Sequence, residues 1–177
     1  MKFITKLFKT YFCLFFLKVL PLFSFPLLNS KLFRLMGYNI DKTVIIFSSA
    51  RIIGDISVKI GANTFIGHET LIMGGDSTIS IGSDCDISSR VNIISGTHKI
   101  DMNGTRSAGN GLGKDIIIED GVWIGFGVII LPGVKIGRKS IIGAGSVVVN
   151  DIPPYSIAVG NPCKVVRTWD KNNKKWK

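Results

Sequence analysis

Residues 118–148 read IEDGVWIGFGVIILPGVKIGRKSIIGAGSVV, and an aliphatic residue recurs at every sixth position of this stretch. A six-residue period matches neither an α-helix, which repeats every 3.6 residues, nor a lone β-strand, which repeats every two. It is typical of a solenoid in which very short strands are joined by bends and each coil stacks on the last. The aliphatic positions are Ile118, Ile124, Ile130, Ile136, Ile142 and Val148.

Within one repeat, the aliphatic side chain is predicted to point into the core. A slim residue four positions later fits inside the bend, and a glycine directly after the aliphatic residue suits the bend because of its freedom in φ. Three repeats would form one triangular coil, so Ile118 is predicted to stack on Ile136. A sandwich of short strands is the alternative, but its turns would come every 8–12 residues.

The same pattern recurs upstream, from Ile60 to Ile93, and is interrupted twice. A short loop is predicted at Gly74–Asp76, where the step between core positions lengthens. A long loop is predicted over residues 94–115, between the upstream repeats and those that begin at Ile118. Long loops in compact domains are usually functional or disordered.

These motifs resemble those of the hexapeptide-repeat acyltransferases. Within this family, the chain resembles the capsule, exopolysaccharide and lipopolysaccharide O-acetyltransferases and the galactoside and maltose acetyltransferases. The resemblance implies an all-β solenoid over residues 37–168, a left-handed parallel β-helix that usually assembles as a homotrimer. The matching segments are 121–125 (GVWIG), 132–137 (PGVKIG), 143–148 (GAGSVV), 151–154 (DIPP) and 160–167 (GNPCKVVR).

The resemblance also implies acetyl transfer to a hydroxyl group, with His98 as the general base. His98 follows a repeat directly and opens the long loop, as the catalytic histidine does in the family. An imidazole within hydrogen-bond reach can take the proton of an alcohol while its oxygen attacks a thioester carbonyl. Backbone N–H groups of Gly125 and Phe126 are the implied donors to the developing oxyanion.

Acetyl-CoA is the implied co-substrate, and no metal is expected. Lys164 and Arg167 match the family's basic pair near the phosphates of CoA, and phosphates favour such cationic partners. Trp123 is expected to form part of the wall of the CoA groove. Ala144 and Gly145 are expected to keep that wall low enough for the pantetheine arm.

The acceptor is expected to be a sugar hydroxyl of a cell-surface polysaccharide or its lipid-linked precursor. A small-molecule acetyltransferase acting on an antibiotic or a free metabolite remains an alternative, as does a non-catalytic scaffold. A carbonic anhydrase on the same solenoid would need three histidines for zinc, and the chain has two. The implied acceptor contacts are His68, Glu69, Thr70, Asp76 and Arg106.

The net charge of +10 is uneven, because residues 1–36 contain six cationic residues, nine aromatic residues and no acidic residue. This composition predicts an amphipathic helical segment that caps the open end of the solenoid, lies on an anionic membrane surface, or does both. The segment is not followed by the small-residue cleavage site that is typical of a signal peptide, and this argues against one. Lys18, Pro21 and Pro26 interrupt the apolar run that a membrane span would need.

Three cysteines form no disulfide framework, which favours a reducing, cytoplasmic setting. Contact with the inner face of the cytoplasmic membrane would follow if the first segment binds lipid. Residues 169–177 are predicted to be a basic C-terminal tail, which is expected to be solvated from Lys171 to Lys177. No recognised nucleic-acid module accompanies this charge, so nucleic acid is not an expected partner.

Overall fold

The structure is a computed structural model, and it describes residues 2–21 and 25–177, with side chains from residue 10 onward in these ranges. Two helices, α1 (Lys2–Val19) and α2 (Pro26–Leu35), precede twenty short strands. The strands are β1 (Asn39–Ile40), β2 (Ile45–Ile46), β3 (Arg51–Ile53), β4 (Ile56–Ile60), β5 (Phe65–Ile66), β6 (Leu71–Met73), β7 (Ser77–Ile81), β8 (Asp86–Ile87), β9 (Asn92–Ile94), β10 (Gly96–Ile100), β11 (Ala108–Gly113), β12 (Ile116–Ile118), β13 (Trp123–Ile124), β14 (Ile129–Ile130), β15 (Lys135–Ile136), β16 (Ile141–Ile142), β17 (Val147–Val148), β18 (Ser156–Val159), β19 (Lys164–Asp170) and β20 (Lys175–Trp176).

Parallel strands from successive coils form the three faces of a triangular solenoid. Face A contains β1, β4, β7, β12 and β15; face B contains β2, β5, β8, β13, β16 and β18; face C contains β3, β6, β9, β14 and β17. The chain visits the faces in the order A, B, C, and it completes five coils. Coils 1 to 5 end at β3, β6, β9, β14 and β17, and the corners between faces are called A/B, B/C and C/A. The predicted solenoid is confirmed.

The core is a column of stacked aliphatic side chains, as the six-residue period predicted. Ile118 pairs with Ile136 across face A, and Ile124 pairs with Ile142 across face B. These four side chains are at most 1% exposed. The parallel register therefore places chemically equivalent residues directly above one another in successive coils.

The slim residues lie inside the bends, where their hydroxyl groups satisfy backbone carbonyls. Thr64 donates to the Gly82 carbonyl at 2.8 Å, and Ser140 donates to the Pro153 carbonyl at 2.8 Å. Cys85 occupies an equivalent buried position, and burial raises the pKa of its thiol above the ordinary value. This supports a core role for Cys85, because the thiolate is the reactive form of cysteine.

Helix α2 covers the open end of coil 1. The Leu32 and Phe33 side chains of this helix are buried, and its Asn29 side-chain amide donates to the Ile46 carbonyl at 2.9 Å. In α1, Cys13 and Leu17 are buried one turn apart. The capping role predicted for the first segment is therefore seen, most clearly in α2. The predicted amphipathic pattern of the first segment includes the side chains of residues 2–9 and of Phe23. These side chains lie outside the described part of the chain. No helix within the described ranges is long and apolar enough to cross a membrane.

The long loop predicted over residues 94–115 is an ordered antiparallel hairpin, formed by β10 and β11. It leaves the solenoid at the C/A corner between coils 3 and 4 and is called here the hairpin arm. Its base is closely packed: a Cβ on Gly113 would collide with the Gly75 carbonyl oxygen, and one on Gly96 would make a tight 3.3 Å contact with the Gly74 Cα. The arm therefore rests closely against the short Gly74–Asp76 loop of the coil below.

Residues 169–177, predicted to be a basic C-terminal tail, are ordered in strands and remain largely exposed from residue 171 onward. Strand β19 runs antiparallel to β18, and β20 folds back on β19. Trp169 and Trp176 make an edge contact with ring centroids 5.3 Å apart. The Lys177 ammonium lies 2.6 Å from the Asp170 carboxylate, and this contact holds the pKa of Asp170 well below its usual range.

Candidate functional site

The hairpin arm presents His98 with a fixed ring orientation. His98 lies on β10, is exposed, and has Gly111 of β11 as its cross-strand partner. Its Nδ1 lies 2.9 Å from the Gly109 carbonyl oxygen. Because a carbonyl can only accept, Nδ1 carries the hydrogen of the neutral imidazole and donates it. Nε2 therefore keeps its lone pair and is the nitrogen that can take a proton from a bound hydroxyl group.

Glycines in β11 keep the space beside this imidazole open. A Cβ built on Gly111 would stand 4.0 Å from His98 Cε1, within ordinary contact. Larger side chains at Gly111 would reach further toward the ring from the opposite strand. The glycine-rich sequence of β11 thus leaves room for an acceptor next to the candidate base.

A second polar cluster lies at the B/C corner of the lower coils. The Ser49 hydroxyl is 2.6 Å from His68 Nδ1, and His68 Nε2 is 3.3 Å from a Glu69 carboxylate oxygen. The other carboxylate oxygen accepts a 2.7 Å hydrogen bond from the Arg90 guanidinium. That bond, more than any other contact, lowers the pKa of Glu69. Glu69 is therefore held as a carboxylate between an arginine and a histidine.

The two histidines lie at different corners of the coil. His68 belongs to the B/C corner, whereas the hairpin arm with His98 leaves the C/A corner. Asp76 lies at the C/A corner, beside the base of the arm, and it lines a cavity with Thr78 and Asp115. Arg106 lies near the tip of the arm. Within one chain, Asp76 and Arg106 therefore lie on the same C/A side of the solenoid as His98. His68 and Glu69 lie at the B/C corner instead.

Two of the predicted site residues already use their donor groups in hydrogen bonds within the solenoid. Thr70 is buried, and its hydroxyl donates to the Ser88 carbonyl at 3.0 Å, so its assignment as an acceptor contact is wrong. The Gly125 amide donates to the Ile142 carbonyl at 2.8 Å, so its assignment as an oxyanion donor is wrong as well. Phe126 remains the candidate donor.

Trp123, Phe126, Ala144 and Gly145 surround the B/C corner of coils 4 and 5. Trp123 and Phe126 are about half exposed, at 54% and 50%. Ala144 and Gly145 form the exposed bend of the next coil, and the Gly145 amide donates to the Phe126 carbonyl at 2.8 Å. A Cβ on Gly145 would meet nothing within 4 Å. This corner thus combines two exposed rings with a low, open backbone.

Lys164 and Arg167 lie on the same side of β19 because of a register shift. Residues three apart in a regular strand point to opposite faces. Here the shift between Ile157 and Ala158 pairs Lys164 with Val159 and Arg167 with Ile157. Both partners point outward, since the alternate residues of β18 are buried. Paired residues share a face, so both cations project on the outer side of face B. The sequence contains no clear signal for this bulge.

Comparisons with known proteins agree with this architecture. Residues 115–150 match the family described as Bacterial transferase hexapeptide (six repeats), and residues 57–89 match the Hexapeptide repeat of succinyl-transferase. The chain is therefore similar to the hexapeptide-repeat transferases in both of these segments. These matches and the five stacked coils of parallel strands confirm the predicted fold class, an all-β solenoid consistent with the left-handed parallel β-helix of hexapeptide repeats.

Several acetyltransferases resemble the chain over much of its length. Galactoside O-acetyltransferase from Lactococcus lactis is 42% identical over 114 residues, which are 64% of this chain and 54% of that protein. A maltose O-acetyltransferase structure from Clostridium difficile has a TM-score of 0.65 at 28% identity and covers 94% of this chain and 89% of its own. The polySia-specific acetyltransferase NeuO has a TM-score of 0.56 at 33% identity, with 75% and 65% covered. The chain spans about half the length of the curated relatives it matches.

Proposed function

We propose that the protein is an acetyl-CoA-dependent O-acetyltransferase that acts on a sugar hydroxyl, with His98 as the general base. The observation that carries this proposal is the hydrogen bond from His98 Nδ1 to the Gly109 carbonyl, which leaves Nε2 available on an exposed arm. The family relatives named for galactoside, maltose and polySia acetylation support a sugar acceptor.

In the proposed reaction, acetyl-CoA supplies an acetyl group activated as a thioester. His98 Nε2 takes the proton of the acceptor hydroxyl while the acceptor oxygen bonds to the acetyl carbonyl carbon. The carbon–sulfur bond breaks, and His98 returns the proton to the departing thiolate. General base assistance of this kind contributes ~10²–10⁴ in rate. The Phe126 amide is the proposed donor to the oxyanion.

The residues that would hold CoA fit its chemistry. Lys164 and Arg167 offer two cations on one outer surface, suited to the phosphates of a nucleotide. Trp123 offers an exposed ring on the same face, where its strand β13 lies two strands from β18. The open bend at Ala144 and Gly145 leaves room for a thin pantetheine chain to approach the backbone.

Arg167→Ala is expected to weaken CoA binding about 10-fold, because a hydrogen bond to a charged group contributes ~1.5–3 kcal/mol. Isothermal titration with CoA measures this change. Lys175→Ala is the matched control, since it removes the same charge from the neighbouring strand β20. Equal losses in the two variants would show a general charge effect and would contradict a specific phosphate contact at Arg167.

We further propose that the working form is a homotrimer. A site that uses both His98 at the C/A corner and the His68 cluster at the B/C corner requires two protomers. The outer surface of face C is apolar and partly exposed, which suits a subunit interface. Its outward apolar residues are Ile53, Leu71, Met73, Ile94, Ile129 and Val147, and they are accompanied by the polar residues Arg51 and Asn92.

Ile129→Arg is expected to convert the trimer to monomers and to abolish most activity, because it buries a charge in the proposed interface. Light scattering together with turnover measures both effects. Ile117→Arg, on the outer side of face A, is the matched control and should remain trimeric. A wild-type protein that is monomeric and fully active at assay concentration would refute the trimer.

The acceptor is proposed to be a cell-surface polysaccharide or its lipid-linked precursor, and the test is a comparison of acceptor classes. Thioester consumption is measured with oligosaccharide repeat units, free sugars and aminoglycoside or other antibiotic hydroxyls, and products are identified by mass spectrometry. Turnover with free sugars or antibiotics alone would favour the small-molecule alternative. Tight CoA binding without transfer to any of these acceptors would overturn the proposed function.

A further inference from the structure

Helix α1 exposes a row of apolar side chains on the side opposite its buried residues. Cys13 and Leu17 face the rest of the protein and are 2% exposed. Phe12 and Phe15, by contrast, are 51% and 61% exposed. The outward rings contact one another: Phe12 and Phe16 centroids lie 4.7 Å apart, and Phe15 and Phe16 centroids lie 5.8 Å apart. This aromatic row consists of Tyr11, Phe12, Phe15, Phe16 and Val19.

The start of α2 adds further exposed apolar residues, namely Phe25, Leu27 and Leu28. Helices α1 and α2 pack against each other, so these residues belong to the same helical layer at the end of the solenoid. Soluble monomers rarely leave large contiguous apolar patches exposed, and such patches mark interaction sites. Among the described side chains of α1, Cys13 and Leu17 are the buried ones, so the exposed aromatic row contributes little to the core of the folded chain.

The charge of this layer indicates what binds there. Residues 1–36 contain six Lys and Arg residues and neither Asp nor Glu. Lys18 and Lys31 are exposed on the two helices beside the apolar residues. An anionic bilayer offers apolar contact for phenyl rings and anionic headgroups for ammonium groups at the same depth. We propose that the aromatic row of α1 docks the solenoid onto an anionic membrane surface.

A second copy of the chain suits this surface less well. A two-fold contact through α1 would bring the same patch of both copies together, because such contacts are self-complementary. Each copy would bring six cations and no acidic residue from this segment, and the like charges would repel. A lipid surface meets no such repulsion.

Docking in this way would set the height of the candidate site above the lipid. Coil 1 lies next to the helices, and the hairpin arm leaves the solenoid after coil 3. Successive strands are ~4.8 Å apart, so the base of the arm stands about 10 Å above coil 1. A helix adds ~10 Å. The base of the arm would therefore lie about 20 Å from the bilayer, within reach of a glycan that projects from a lipid. This last step rests on the proposed function, whereas membrane docking does not.

The test is co-sedimentation of the full chain with phosphatidylcholine vesicles, prepared with and without phosphatidylglycerol, in the absence of acetyl-CoA. The wild type is expected to bind only the anionic vesicles. The double substitution Phe12→Ser and Phe15→Ser is expected to weaken this binding at least ~10-fold, because two rings lose apolar burial. Both side chains are exposed, so the melting temperature should stay close to that of the wild type.

Ile100→Ser is the matched control, since Ile100 is 84% exposed on the hairpin arm, away from α1. It should bind anionic vesicles as the wild type does. Three results would each overturn the proposal: no binding of the wild type, equal binding to both vesicle types, or unchanged binding of the double variant. If the double variant instead lowers the oligomeric state in sedimentation velocity, α1 is an interface between copies. None of these readouts depends on catalysis, so the proposal can fail while the transferase proposal stands.

Discussion

Substitution of His98 by alanine is expected to lower the turnover of acetyl transfer at least ~10²-fold, while CoA binding and the melting temperature stay unchanged. The imidazole is exposed and makes its one described hydrogen bond to a hairpin carbonyl, so removing it deletes a proton acceptor without opening the core. Single-turnover measurements at saturating acceptor separate the loss in the chemical step from any change in binding. Near-normal turnover in His98→Ala would refute the assignment.

His68→Ala is the matched control for this experiment, because it removes the other histidine of the chain. His68 lies between the Ser49 hydroxyl and the Glu69 carboxylate, at a different corner of the coil. Its loss is expected to raise the apparent KM for the acceptor and to leave most of the chemical step intact. If His68→Ala abolished turnover and His98→Ala did not, the roles of the two residues would be reversed.

The largest effect on stability is expected from Ile118→Ala. Ile118 is 1% exposed and is paired with Ile81 on one side and Ile136 on the other, so truncation leaves a cavity between three coils. Such substitutions typically cost ~2–5 kcal/mol in the free energy of unfolding. Urea denaturation at fixed protein concentration measures this cost. The concentration must be fixed because subunit association would contribute to stability.

Ile117 provides a control within the same strand. It is the same residue type, one position earlier, and is 44% exposed on the outer side of face A. Ile117→Ala is expected to cost less than ~1 kcal/mol, because a partly exposed side chain loses little burial. Equal destabilisation by the two variants would contradict the division of each repeat into inward and outward positions.

The solenoid was predictable because its core residues recur at one fixed interval. That interval fixes the coil length, and the observed pairing of Ile118 with Ile136 follows from it. The same rule placed Thr70 at a slim, inward position of its repeat, and this already argued against an acceptor contact. The error came from its sequence neighbours His68 and Glu69, which are polar and accessible. Periodic position was the better guide than local composition.

Other features depend on contacts that the sequence does not record. Residues 96–113 contain many glycines and no alternating apolar pattern, so nothing indicated that β10 and β11 would pair. The orientation of His98 follows from that pairing, because it brings the Gly109 carbonyl within reach of Nδ1. The common face of Lys164 and Arg167 depends on a single register shift, and the engagement of the Gly125 amide depends on the coil above it.

The two ends of the solenoid limit how far this chain can assemble along its axis. An uncovered coil presents unpaired backbone groups to which another coil could add, as in a growing fibre. At the first end, Asn29 of α2 occupies the Ile46 carbonyl. At the other end, the Cys163 amide binds the Val147 carbonyl and β19 runs antiparallel to β18, a direction in which no further parallel coil can continue. A structure built by repetition is thus given a finite length by its two non-repeating ends, and loss of either end should favour filaments.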